Sequence, residues 1–100
     1  MNSIEIVINN LYSYKKINID IQNSTITTNN GTNKITKSNI DKLLRIIRNW
    51  NNNYPSSNQI DSEKFIIKIN DSNQISTITG NGSYPENYHL FKELIGELYE

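Results

Sequence analysis

The residues with most chemical capacity in this chain are charged, and their spacing is helical. Projected at about 100° per residue, Glu86, Glu93, Glu97 and Glu100 fall within about 60° of one another, with His89 one turn before Glu93. An acidic stripe of this kind suits a basic protein partner, and as a plain surface it is a solvated helix face. Glu97 and Glu100 stand near a helix C-terminus, where the dipole favours cations, so stability alone would prefer Lys there. A basic counterpart occurs earlier: Lys42, Arg45 and Arg48 on one side of a helical stretch, with Lys34 and Lys37 in the loop before it. Five cations could meet phosphates, with an affinity that follows the number neutralised. The alternative reading is therefore a nucleic-acid-binding face, although dedicated binders tend to be basic overall and this chain has a net charge of zero.

A third candidate is the junction of Gly80, Gly82 and Ser83 around Asn81. Backbone N–H groups at a helix start can hold phosphate or carboxylate. The segment lacks the Lys and spacing of a phosphate-binding loop, and Glu86 just beyond it would repel an anion. Catalytic chemistry finds little to use. His89 is the only His; with Glu93 at i+4 it makes half of an acid–base couple, and one His with one carboxylate is too small a set for zinc. Cys is absent, no Ser lies on a nucleophile elbow, and Asp20, Asp61 and Asp71 are dispersed. The expectation is a chain that is not an enzyme and needs no metal or cofactor.

The elements that must position these residues are legible as periodicity. Ile4, Ile6 and Ile8 alternate with Glu5, Val7 and Asn9; Ile17, Ile19 and Ile21 alternate with Asn18, Asp20 and Gln22. Both read as strands with one buried face. Thr25 to Thr28 suits a third strand. Asn30-Gly31 is a hairpin signal that would pair Ile26 with Ile35, but Pro85 in the matching segment of the second half favours a plain loop. Ser38 with Asp41 marks a helix start, and Ile40, Leu43, Leu44, Ile46, Ile47 and Trp50 form its apolar arc, predicting a helix over 38–50. Residues 51–62 read as a polar linker punctuated by Pro55. Phe65, Ile67 and Ile69 give a strand, and 74–79 returns as another, where the three-residue spacing of Ile75 and Ile78 predicts a bulge. Ser83, Glu86 and Pro85 mark a second helix start, running to about Tyr99.

Residues 17–50 and 65–99 thus repeat one ββα plan, with Ile26 aligned on Ile75, Gly31 on Gly80 and Leu43 on Leu94. One hundred residues suit a single domain, 1–100. The predicted fold is α+β, β-β-β-α-β-β-α, an antiparallel sheet of about five strands with two helices packed on one face. The other face would be open, carrying Asn18, Asp20, Gln22, Lys68 and Asn70, with Val7 and Ile66 as a small contact patch.

Composition sets the remaining bounds. Eighteen Ile, eighteen Asn and no Ala look like the output of an AT-rich genome, so single Asn residues carry little functional weight. Residues 1–50 hold seven Lys/Arg and three Asp/Glu, for +4; residues 51–100 hold three and seven, for −4. Met1 to Ile8 has no basic start or long apolar run, and no stretch approaches the roughly 18 apolar residues of a membrane span. The expectation is a small cytoplasmic protein-binding module, inhibitor- or immunity-like, that exists as a monomer or weak homodimer.

Overall fold

The computed structural model describes residues 2–10, 12–54 and 63–99. In chain order its elements are β1 (Ser3–Asn9), β2 (Tyr14–Asp20), β3 (Thr25–Thr28), β4 (Gly31–Lys34), α1 (Lys37–Ile47), β5 (Asn53–Tyr54), β6 (Lys64–Asp71), β7 (Gln74–Asn81) and α2 (Tyr88–Tyr99). The strands form one sheet in the order β4-β3-β2-β1-β6-β7-β5.

The period-two isoleucines explain the sheet. β1 pairs antiparallel with β2 on one side and β6 on the other. The registers line up isoleucine rows across the strands: Ile26–Ile19–Ile4–Ile69 and Ile17–Ile6–Ile67–Ile78. All eight point to one face, because residues i and i+2 of a strand share a face. Seven of them are buried, and Ile69 packs against the cluster half-buried. That same cluster takes in Ile40, Leu43 and Ile47 from α1 and Phe91, Leu94 and Ile95 from α2, so both helices lie on the one face. Each fully buried side chain of this size contributes about 1.5–3 kcal/mol.

The turns follow from local chemistry. The Asn10 Oδ1 accepts from the amides of Tyr12 and Ser13 at 2.8 and 2.9 Å, closing the β1–β2 turn. The Asp20 carboxylate accepts from the side-chain and backbone N–H of Asn23 at 2.8 and 3.2 Å. Those bonds favour its charged form and hold its pKa below the usual carboxylate value.

The α+β class and the one-sided packing match the expectation, and several details differ from it. The sheet has seven strands among the described residues and is mixed, because β5 runs parallel to β7. β5 takes Asn53 and Tyr54 out of the expected linker; residues 55–62 of that linker lie outside the described residues. The Asn29–Gly31 segment does make a hairpin and not a plain loop, but Thr28 faces Gly31 and Ile26 faces Asn33, so Ile35 falls beyond β4. The turn residues are Asn29 and Asn30, and Gly31 just after them supplies the positive φ of 115°. α1 is capped by Thr36, whose Oγ1 accepts from the Asn39 amide at 3.1 Å, two residues before the expected Ser38. α2 begins at Tyr88, after Pro85 and not around it.

The predicted bulge in β7 is absent: β6 and β7 pair without interruption from Lys64↔Asn81 to Asp71↔Gln74. Regular pairing sends Ile78 into the core and Ile75 to the opposite face, where it is 68% exposed. The strand alignment of the two halves fails on the same point, since Ile26 is buried. A topological reason accompanies it. β2 and β6 are both antiparallel to β1 and therefore parallel to each other, yet β3 and β7 lie on opposite sides of them. With both helices on one face, β2–β3 with α1 therefore has the opposite hand to β6–β7 with α2, whereas β3–β4, the hairpin that leads directly into α1, has the same hand as β6–β7 with α2.

Gly80 is fixed by packing. It sits opposite Phe65 in the ladder, and a Cβ at this position would fall within the Phe65 ring. Strand propensity favours Gly80→Val by up to about 1 kcal/mol, whereas overpacking costs about 1–3 kcal/mol. The expected outcome is a lower urea midpoint for Gly80→Val; a higher one would show that the ring does not cover the glycine.

Candidate docking groove between the helices

The two helices are held antiparallel, and one asparagine fixes the crossing. Asn87 Oδ1 accepts from Trp50 Nε1 at 2.7 Å, and Asn87 Nδ2 donates to the Ile46 carbonyl at 3.1 Å. Its own carbonyl receives the amides of Leu90 and Phe91 at the start of α2. Asn87 therefore joins the C-terminal turn of α1, where carbonyls lack helical partners, to the N-terminus of α2. At the other end, the Tyr99 carbonyl accepts from Asn30 Nδ2 in the β3–β4 turn at 3.4 Å.

Aromatic rings fill the space beneath this clasp. Trp50 meets Phe65 and Phe91 edge-on at centroid distances of 5.8 and 5.1 Å, and Tyr84 stacks on Tyr88 at 4.6 Å. Glu63 ties α2 to the sheet. Its carboxylate accepts from Tyr88 Oη at 2.6 Å and from Lys92 Nζ at 2.5 Å, while its backbone N–H and carbonyl both bond Tyr84 Oη at 3.0 and 2.9 Å. Burial, and the carboxylate beside it, hold the Tyr88 phenol protonated well above its ordinary range. Neither Glu63 nor Asn87 stood out in the sequence. The partners of Glu63 on α2 lie 25 and 29 residues away, and Asn87 is one of eighteen Asn; its position immediately before the α2 pattern was the one available signal.

Above this support the outer sides of the helices border an open groove of about 270 Å³. Lys42, Arg45 and Ile46 line it from α1, and Leu90, Glu93, Leu94 and Glu97 from α2. The acidic stripe and part of the basic face, separate in sequence, thus become two walls of one depression. Glu93 and Glu97 are exposed, as are Lys42 and Arg45, and Leu90 is 44% exposed between them. Among the described residues no ion pair within 4.0 Å crosses the groove. Glu97 also borders a hollow with Thr36 and Asn39 of the first turn of α1. A carboxylate unfavourable at its own helix end therefore stands beside the positive end of its neighbour's dipole.

The remaining expected site residues do not converge. Glu86 and His89 are exposed at the start of α2, outside the groove lining, and Glu100 lies outside the described residues. Among the described residues no hydrogen bond or ion pair joins His89 to Glu93, and no group of three or more His, Cys, Asp or Glu comes together as a metal set. The basic set is divided: Lys34 pairs with Thr25 in the ladder, on the sheet face away from the helices, Lys37 opens α1, and Arg45 and Arg48 share a shallow hollow with Asp41. The expected anion loop does not stand at a helix start. Gly80 lies within β7, the Gly82 amide donates to the Glu63 carbonyl at 3.3 Å, and Ser83 precedes the helix by five residues, so no helix N-terminus is aimed at this loop.

Across the sheet, Val7 and Ile66 do face each other in register on the open side. Around them lie polar groups, including a Lys16–Glu5 ion pair at 3.3 Å. No helix among the described residues is long and apolar enough to cross a membrane. No protein-family model and no curated protein matches the chain.

The Tyr88 phenol makes a pH test of the Glu63 anchor. An unfolded Tyr ionises near pH 10.0, while the folded state holds this one protonated to higher pH. Its contribution to stability is therefore complete below about pH 10 and drains away as pH rises beyond it. Tyr88→Phe lacks this component. Its urea midpoint should be lower than wild type at neutral pH and fall less steeply between about pH 9 and about pH 11; parallel slopes would show that the phenol is not buried against the carboxylate.

Proposed function

We propose that this chain is a non-catalytic protein-binding module that docks its partner across the helical face, with Glu93 and Glu97 as the principal charged contacts. The observation that carries the reading is the groove itself: exposed carboxylates on one wall, exposed cations on the other, and Leu90 half out of the core between them. An interface needs a desolvated apolar centre with a polar rim, and this face offers both on rigid helices.

Two further points support protein over nucleic acid as the occupant. Lys42 and Arg45 have Glu93 and Glu97 as neighbours across the groove, which weakens the positive field a phosphate backbone would feel. Arg45 and Arg48 likewise share a hollow with Asp41. The inhibitor- or immunity-like role is the same reading made narrower, a small protein acting by occupying another protein's surface.

Charge reversal tests it. Glu93→Lys with Glu97→Lys changes two exposed positions, so circular dichroism should be unchanged. Affinity capture should lose the partner recovered by wild type, and the binding of wild type should weaken as salt rises. Undiminished recovery by the double variant would remove the acidic wall from the binding surface.

A further inference from the structure

The groove sets two cations on one wall against two carboxylates on the other. A purely basic partner would meet Glu93 and Glu97 favourably and Lys42 and Arg45 unfavourably; a purely acidic one would meet the reverse. The occupant that satisfies both walls carries one positive and one negative stripe at the same separation, flanking an apolar line. This chain carries that surface: Lys42 and Arg45 on α1, Glu93 and Glu97 on α2, and Ile46 and Leu90 between them.

Symmetry decides whether the two surfaces can be used together. Place a two-fold axis along the groove, in the plane of contact. Rotation by 180° about it lays α1 of one copy over α2 of the other and, at once, α2 over α1. Each basic wall then meets an acidic wall, twice over, and the two Leu90 side chains approach the axis. An axis across the groove would instead set like charges together. The favourable arrangement is isologous and closed, so it stops at the dimer. Within one copy the walls make no ion pair within 4.0 Å among the described residues, which leaves these charges available to a partner.

We propose that the helical face associates with the same face of a second copy, in a two-fold dimer whose register is set by Lys42 and Arg45 against Glu93 and Glu97. This rests on the reading of the helical face as the binding surface and names its occupant. Helices of 11 and 12 residues are about 17 Å long, so the contact falls in the small class of interfaces, below about 1,200 Å² in total. The dimer is a weak, reversible and salt-sensitive one.

Sedimentation equilibrium on the full chain tests this with two complementary variants. Wild type should rise from monomer to dimer mass with concentration at low salt and return toward monomer as salt is added. Glu93→Lys/Glu97→Lys makes both walls positive, and Lys42→Glu/Arg45→Glu makes both negative; each alone should be monomeric. An equimolar mixture of the two should recover a dimer, since each wall again meets its opposite. Milder Glu93→Gln/Glu97→Gln should weaken the dimer at least several-fold without adding repulsion. Wild type that stays monomeric at every concentration overturns the proposal, as does a dimer that survives in either charge-reversed variant, or a mixture that fails to associate. If wild type is monomeric yet loses a captured partner on charge reversal, the self-docking inference falls and the protein-binding reading stands.

Discussion

The structure depends on one strand having one apolar face and two paired edges. β1 supplies Ile4, Ile6 and Ile8 at period two, and its backbone is bonded to β2 and β6 at once. Because Ile4 and Ile6 are extended into isoleucine rows by the strands beside them and Ile8 is paired with Phe65, the sheet acquires an apolar side, and an opposite side that is mostly Asn, Thr, Ser, Lys and Glu with Val7, Ile66 and Ile75 among them. Apolar surface of that extent must be covered, and the chain has two amphipathic segments with which to do it. Both helices are therefore forced onto the same face, and the second sheet face is left to water.

Everything on the helical face follows from sharing that limited area. Two helices on one small sheet must lie side by side; the connections through Trp50 and Asn87 make them antiparallel. Antiparallel neighbours put opposite dipole ends together, which eases the acidic C-terminal turn of α2. They also bring two cations of the basic half and two carboxylates of the acidic half to one groove. Of the charges that separate the two halves of the chain, +4 against −4, Lys42 and Arg45 come to face Glu93 and Glu97 across one groove. Part of a long-range asymmetry in sequence thus becomes a local opposition of charge across one groove.

The parts that were legible in the sequence are those governed by short-range periodicity. Ile4, Ile6 and Ile8, the apolar arc from Ile40 to Trp50, and the face of Phe91, Leu94 and Ile95 each declare which side is buried. What remained hidden depends on register and on distant pairings. Ile75 resembles a core residue until the unbroken ladder with β6 turns it outward. The similarity of the two ββα halves holds across the helices and breaks at Ile26 and Ile75, one buried and one exposed, because the face a strand residue takes is set by ladder register and no local pattern encodes it. Asn87 and Glu63 were invisible for a related reason: the partners of their side chains stand 25 to 41 residues away. The acidic stripe was readable as a stripe, but its opposition to Lys42 and Arg45 emerged only from the crossing of the helices.

Native-state amide hydrogen exchange tests the central claim, that β1 organises the whole domain, most directly. Amides that open only with global unfolding report the full stability, whereas edges open locally. The account predicts that the amides of Ile4 to Ile8 exchange at the global free energy together with the centres of β2 and β6, and that those of β4 exchange at a much lower one. Exchange of β1 at a lower free energy than the β6–β7 hairpin would contradict it, because the hairpin would then be a stable unit against which β1 is merely laid.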